Sequence, residues 1–191
     1  MLGLCLSALA QSNVYFTSEI TPESLVKIFQ TLGVEPVGHV AIKISTGEGP
    51  KSNYLRPELI ADLVNLTNAN LVECNTAYGG SRDNTDSHRL IIAQHGFDMI
   101  AKVDIMDSEG VMQIPVADTT WIKYDIVGSH LSYYDFMINL AHFKGHARGG
   151  YGGVLKNQSI GVAAKPRKCH IHTAGESTNR HYGFHEPGSV R

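Results

Sequence analysis

Short apolar stretches alternate with amphipathic helical segments over most of the chain, and this alternation limits the fold more than any other feature. Helices are predicted to begin at Pro22, Pro57 and Asp86, and Gly33 and Gly96 are expected to end the first and third. Strands are predicted at residues 14–16, 39–45, 71–75, 103–106, 121–127 and 136–141. The pattern predicts an α/β fold, in which a mostly parallel sheet carries helices on both faces.

The chain after Asp107 is less regular, and we expect it to add antiparallel strands. The apolar run 136–141 is typical of a central strand. With 191 residues, of which 42% are apolar, the chain suits one globular domain, assigned to residues 11–176. Residues 177–191 are predicted to form an irregular C-terminal tail.

Residues 1–10 are apolar and end in Ala8-Leu9-Ala10, the small-residue pattern of a signal-peptide cleavage site. They are predicted to be the remnant of a signal peptide, which implies export to the periplasm. The alternative is a short apolar segment packed on a cytoplasmic domain. No apolar stretch has the length of a membrane span. The net charge of -2 gives no general electrostatic reason to expect a nucleic acid as partner.

Polar, glycine-containing loops follow predicted strands at residues 46–51, 76–82 and 142–153. In an open parallel sheet, the carboxyl ends of the strands lie at one edge, and ligands bind there. We therefore expect the loops to converge on a small-molecule or anionic ligand. The substrate contacts are predicted to come from Lys43, Asn75, Tyr78 and Arg56.

The third loop has the highest density of polar side chains. Imidazoles transfer protons or bind metals near neutral pH, and lysine and arginine hold anions. We expect His142 and His146 to be catalytic, and Lys144 and Arg148 to bind a cofactor. The alternative is a set of hydrogen-bonded structural histidines beside a solvated basic face.

A glycine-rich run, residues 149–153, precedes a helix predicted to begin near Val154 with Lys156 in its first turn. Backbone amides of such a run can surround an anion. The cofactor is therefore expected to contact Gly150, Gly152, Gly153 and Lys156.

Two further histidines, His170 and His172, would point the same way on a strand and are candidate metal ligands. An exposed polar strand end is the alternative. His130 is a weaker candidate for the same edge. Glu73 lies inside a predicted strand, where a buried carboxylate needs a partner, and Lys43 is the predicted one. Other histidines, His88 among them, are predicted to be structural.

The cysteines Cys5, Cys74 and Cys169 show no Cys-x-x-Cys spacing, which argues against a self-contained zinc or iron–sulfur site. The sequence alone does not decide whether Cys74 and Cys169 form a disulfide. The cofactor is therefore unidentified, although the histidines are compatible with a metal.

Six segments of the chain resemble a known family. They are Val40-Ala41-Ile42-Lys43, Asn53-Tyr54-Leu55-Arg56-Pro57, Glu73-Cys74-Asn75-Thr76-Ala77-Tyr78-Gly79-Gly80, His142-Phe143-Lys144-Gly145-His146, Gly152-Gly153-Val154-Leu155-Lys156-Asn157 and His172-Thr173-Ala174-Gly175. The chain resembles the domain-of-unknown-function-362 family, whose members are often labelled iron–sulfur-centre proteins. The resemblance implies an α/β domain without an established reaction. Many members continue into cysteine motifs for [4Fe–4S] clusters, which this chain lacks, so we expect it to be truncated relative to the family.

A second pattern, His146 followed by the glycine-rich run, Lys156 and His172, is similar in order to the nickel-pincer lactate racemase family. That resemblance implies that Lys156 tethers the cofactor, His172 binds nickel and His146 transfers the proton.

Three hypotheses follow. The first is a small-molecule or metal-binding α/β domain, one version of which belongs to an iron–sulfur redox protein. The second is a racemase or epimerase with a lysine-tethered nickel cofactor. The third is a non-catalytic exported domain with solvated polar loops.

Overall fold

The computed structural model describes residues 12–49, 51–120, 122–146, 150–173 and 177. Residues 1–10, Arg148 and nearly all of the tail lie outside these ranges. The elements are, in chain order, α1 Pro22–Thr31, β1 Val40–Lys43, α2 Pro57–Thr67, β2 Asn70–Glu73, α3 Thr85–His95, β3 Val103–Ile105, β4 Val111–Pro115, β5 Tyr124–Gly128, β6 Phe136–Asn139, β7 Gly145–His146, β8 Gly150–Tyr151, α4 Gly153–Gln158 and α5 Lys165–His172. None of the helices in these ranges has the length and apolar character that crossing a bilayer requires.

Four strands form a parallel sheet in the order β3-β2-β1-β6, and two small antiparallel pairs, β4 with β5 and β7 with β8, stand apart from it. The predicted α/β fold, with antiparallel strands after residue 107, is confirmed. The prediction of a central strand at 136–141 is wrong, because β6 lies at an edge of the sheet. Its residues are apolar because both faces are covered: Ile138 packs into one core and Met137 into the other.

The sheet separates two apolar cores. Alternate strand residues such as Ile42 and Leu71 pack with the helices α1 and α2, whereas Ala41 and Val72 face a second core formed with the C-terminal half of the chain. Burial on both faces explains why the central strand β1 is buried along its whole length, Lys43 included.

Local signals set the ends of the helices. Thr21 caps α1 by accepting a hydrogen bond from the Ser24 amide at 3.1 Å, and Asn84 caps α3 in the same way. Gly96 ends α3 in the left-handed conformation, with φ 80°. These boundaries agree with the predicted helices to within about one residue.

Two predicted strands are wrong. Residues 14–16 form no strand, and the side chains of Val14 and Phe16 are almost fully exposed. The segment with His170 and His172 is a helix, α5, because a proline in its first turn and an unbroken run without glycine favour a helix. The two imidazoles therefore point in directions about 160° apart around the helix axis instead of sharing a face.

Candidate functional site

The carboxyl ends of β1, β2 and β6 open into a cavity of about 160 Å³. Its lining includes Ser45 after β1, Tyr78 and Arg82 after β2, and His142 and Lys144 after β6. Side chains from all three segments thus meet at one edge, as the parallel topology requires.

The helices α4 and α5 complete the cavity wall. Helix α4 contributes Lys156 and Asn157, and α5 contributes Lys168 and His172. Because Lys168 and His172 are four residues apart, they lie on the same face of α5.

The structure places the sequence-predicted residues in two groups. Seven of the described ones line the cavity: Lys43, Tyr78, His142, Lys144, Gly153, Lys156 and His172. The others lie elsewhere, and Arg148 is outside the described residues. His146 is not among the lining residues, but its Nε2 contacts the Nζ of Lys156, which is one of them. The roles assigned to all of these residues stay predictions.

Three predicted site residues that do not line the cavity make contacts elsewhere in the protein. The side chain of Asn75 donates to Thr85 Oγ1 at 3.0 Å. The Arg56 guanidinium lies 4.2 Å from the centre of the Tyr54 ring, on the exposed surface. The imidazole of His170 contacts Arg167 on α5.

The glycines before α4 shape the backbone. Gly150 and Gly153 have φ of 67° and 48°, and a Cβ at Gly153 would overlap the Tyr151 ring. The Gly152 amide donates to the Lys144 carbonyl at 3.0 Å, so this amide is engaged within the protein. The run therefore turns the chain into α4.

A buried ion pair lies at the end of β2. Arg82 donates to Glu73 at 2.7 Å and to Glu48 at 2.9 Å, and Thr46 donates to Glu73 from its amide and its hydroxyl. Burial alone would raise the pKa of Glu73, but Arg82, Lys43 and His88 together hold it well below its ordinary value. Glu73 is thus a carboxylate at neutral pH.

The prediction that Lys43 is the direct partner of Glu73 is wrong. Lys43 is opposite Val72 in the parallel register, so Glu73, the next residue of β2, points to the other face of the sheet. The Lys43 ammonium instead donates to the Ile44 carbonyl and, at 3.0 Å, to Asn157 Oδ1. Its burial lowers the pKa of Lys43 to about 8, against the opposing effect of Glu73.

Asn157 anchors the short helix α4 to the sheet. Its Nδ2 donates to the Lys43 carbonyl at 2.9 Å and to Asn139 Oδ1 at 2.8 Å, while its Oδ1 accepts from the Lys43 ammonium. One buried amide thereby ties α4 to the ends of β1 and β6.

Lys168 is a buried cation that the sequence did not single out. Its ammonium donates to the carbonyls of Cys74 and Asn75, and burial lowers the pKa of Lys168. Within the described ranges, the ion pairs involve neither Lys43 nor Lys168. Both ammonium groups are held by neutral acceptors.

The exposed side of the cavity also carries titratable groups. Lys156 is partly buried, and burial, followed by the charge of Lys144, lowers the pKa of Lys156. Burial and Lys144 lower the pKa of His142 in the same way. His142 is therefore neutral at pH 7, where it is able to accept a proton.

Other histidines serve the fold. His88 is fully buried between Thr46 and Asn75, which agrees with its predicted structural role. His130 binds Asp104 at 2.8 Å and lines a separate cavity with His39, so its predicted place at the site edge is wrong.

The donor set does not fit an iron–sulfur cluster. Cys74 carries a free thiol that donates to the Val162 carbonyl at 3.3 Å, and no disulfide joins it to Cys169. Burial raises the pKa of Cys74 to about 12, whereas cluster ligands are thiolates. Across the described part of the chain, no group of three or more His, Cys, Asp or Glu residues could hold a metal ion.

Comparison with known proteins identifies the family but no activity. No curated protein and no solved structure matches the chain. A family model described as "Domain of unknown function (DUF362)" matches residues 40–187, from the first residue of β1 through every cavity-lining residue named above. The similarity to nickel-pincer lactate racemases is not shown. The chain belongs to the DUF362 family.

Proposed function

We propose that the cavity binds a small anionic molecule through the ammonium groups of Lys43 and Lys168. The main observation that supports this proposal is that both ammonium groups are buried at the same cavity and donate hydrogen bonds to neutral acceptors. A buried charge costs several kcal/mol unless an opposite charge accompanies it. An anion between the two lysines would supply that charge.

The charge of the whole wall supports this function. Among the described lining residues, one is a carboxylate, Glu73, which Arg82 already engages; the cationic ones are Lys43, Arg82, Lys144, Lys156 and Lys168. Such a wall attracts anions and repels cations. The volume of about 160 Å³ is below the roughly 300–1,000 Å³ of pockets for drug-sized ligands. A short carboxylic acid or a phosphate fits these limits.

Anion binding corresponds to the first hypothesis, a small-molecule or metal-binding domain, in its small-molecule version. It requires neither a metal nor an iron–sulfur cluster. The third hypothesis, solvated polar loops, leaves the burial of Lys43 and Lys168 unexplained.

We expect isothermal titration calorimetry to detect binding of acetate and of inorganic phosphate, but not of choline. Substitution Lys168→Met should weaken both affinities tenfold or more, because a hydrogen bond to a charged group contributes about 1.5–3 kcal/mol. The matched control is Lys27→Met, which removes an exposed lysine on α1. The proposal fails if the folded Lys168→Met protein, checked by circular dichroism, binds acetate as tightly as the control.

A racemase or epimerase with a lysine-tethered nickel cofactor is the second candidate. It is favoured by one observation: Lys156 and His172 line the same cavity, and His146 contacts Lys156. In that function Lys156 would hold the cofactor, His172 would bind the metal and His146 would move the proton, while the bound cofactor supplies the hydride chemistry.

Mass spectrometry of the intact chain tests this candidate after coexpression with cofactor-making enzymes. We expect a covalent mass increase that peptide mapping places on Lys156. An unmodified Lys156 contradicts the candidate and leaves anion binding untouched.

A further inference from the structure

We propose that Lys156 forms a Schiff base with a small 2-oxo acid whose carboxylate is held by Lys43 and Lys168. This inference rests on the proposed function, since it uses the same anion subsite. It adds a covalent step and a substrate class.

The backbone around Lys156 is held firmly. Its amide donates to the Gly152 carbonyl at 3.2 Å, and its carbonyl accepts from the Gly161 amide at 2.9 Å. The next residue, Asn157, is anchored to β1 and β6. The side chain of Lys156 therefore starts from a fixed point on the cavity wall, which favours a defined geometry of attack.

The ammonium group of Lys156 lies next to a base, the imidazole of His146. Lys156 Nζ contacts His146 Nε2, and His146 lies on β7, which pairs with β8 just before α4. A lysine attacks a carbonyl only as the neutral amine, and an adjacent base or partial burial beside another cation makes that form accessible. Lys156 has all three features, because Lys144 is the neighbouring cation.

The step is balanced with the groups present. His146 takes a proton from the Lys156 ammonium, and the amine forms a bond to the carbonyl carbon while the C=O π pair moves to oxygen. His146 returns its proton to that oxygen, a second proton follows from the nitrogen, and the oxygen leaves as water when the C–O bond breaks. The products are a protonated imine and one water, without an oxidant or reductant.

The cavity selects the carbonyl compound. A neutral aldehyde would leave Lys43 and Lys168 with the same neutral acceptors that they have in the free protein. A 2-oxo acid places a carboxylate there and carries its reactive carbon one bond away. The limited volume favours a short acid such as pyruvate.

Borohydride trapping of the full chain with pyruvate tests the inference. We expect the intact mass to increase by one pyruvic acid minus one oxygen atom, and peptide mapping to place the increase on Lys156. Lys156→Arg should abolish the trapping, and His146→Gln should slow it roughly 100-fold because it removes the base. Lys27→Arg, which alters an exposed lysine, should label like the unchanged chain.

The failures of the two proposals can be told apart by measuring pyruvate binding without borohydride. If pyruvate binds and competes with acetate but Lys156 is not labelled, or is labelled no faster than exposed lysines, the Schiff base is excluded and the anion site stands. If neither pyruvate nor acetate binds, both proposals are overturned. Circular dichroism of Lys156→Arg confirms that a lost label does not reflect unfolding.

Discussion

Replacing Arg82 by methionine will lower the free energy of unfolding by about 3–5 kcal/mol, because it leaves a buried carboxylate without its cation. Glu73 then keeps the two hydrogen bonds from Thr46, the neighbouring His88 and the charge of Lys43, which makes no direct ion pair with it. Urea unfolding at pH 7, followed by circular dichroism, measures the loss. The matched control is Arg89→Met on the exposed side of α3, for which we expect a change within about 0.5 kcal/mol.

The pH dependence distinguishes this cause from a general packing defect. In the unchanged protein the pKa of Glu73 is lowered, so its stabilising contribution is complete above pH 4.5 and is lost only as the pH falls through the folded value. Without Arg82, burial raises the pKa of Glu73, and protonation relieves the folded state as the pH falls from 7. The stability difference should therefore narrow toward pH 4.5. A difference that stays constant contradicts the ion-pair explanation.

The affinity for acetate will fall about 100-fold between pH 7 and pH 10, because the anion site loses a proton. Burial lowers the pKa of Lys43 to about 8. The cation that attracts acetate is complete below this value, and each pH unit above it removes about tenfold of the affinity. Calorimetry at constant ionic strength measures the change, and acetate itself stays ionised over the whole range.

Two variants test whether Lys43 causes the pH dependence of the acetate affinity. Lys27→Met should follow the pH dependence of the unchanged protein, whereas Lys43→Met should bind more weakly at pH 7 and show a flatter curve. An affinity that is constant up to pH 10 would show that Lys43 does not hold the anion.

The helices could be predicted because their signals are local. Thr21, Asn84 and Gly96 act on backbone groups within a few residues, so the sequence alone contains the relevant geometry. The order of the strands is not local. The apolar run of β6 has the composition of a central strand, yet its position depends on which side of β1 remained open for pairing.

The candidate site could be predicted only in part, because some of its residues are positioned by the sheet topology and others by contacts between distant segments. The three loops were expected at one edge because the parallel topology fixes the direction of every strand. The role of α5 was missed: a strand would have placed His170 and His172 on one face, whereas the helix separates them and places Lys168 with His172 at the cavity. The burial of Lys43 agrees with its predicted place inside a buried strand. The burial of Lys168 depends instead on how α5 packs against the loop after β2, which the sequence does not indicate.

The position of Asn157 also has a consequence for protein modification. Asn157-Gln158-Ser159 is an acceptor pattern for N-linked sugars, and so is Asn65-Leu66-Thr67. A sugar would have to replace a hydrogen on Asn157 Nδ2, which in the folded chain is directed at Lys43 and Asn139 inside the protein. Asn65 is exposed on α2. Folded molecules from a glycosylating host would therefore carry a glycan at Asn65 at most, and any chain glycosylated at Asn157 would lack the link between α4 and the sheet.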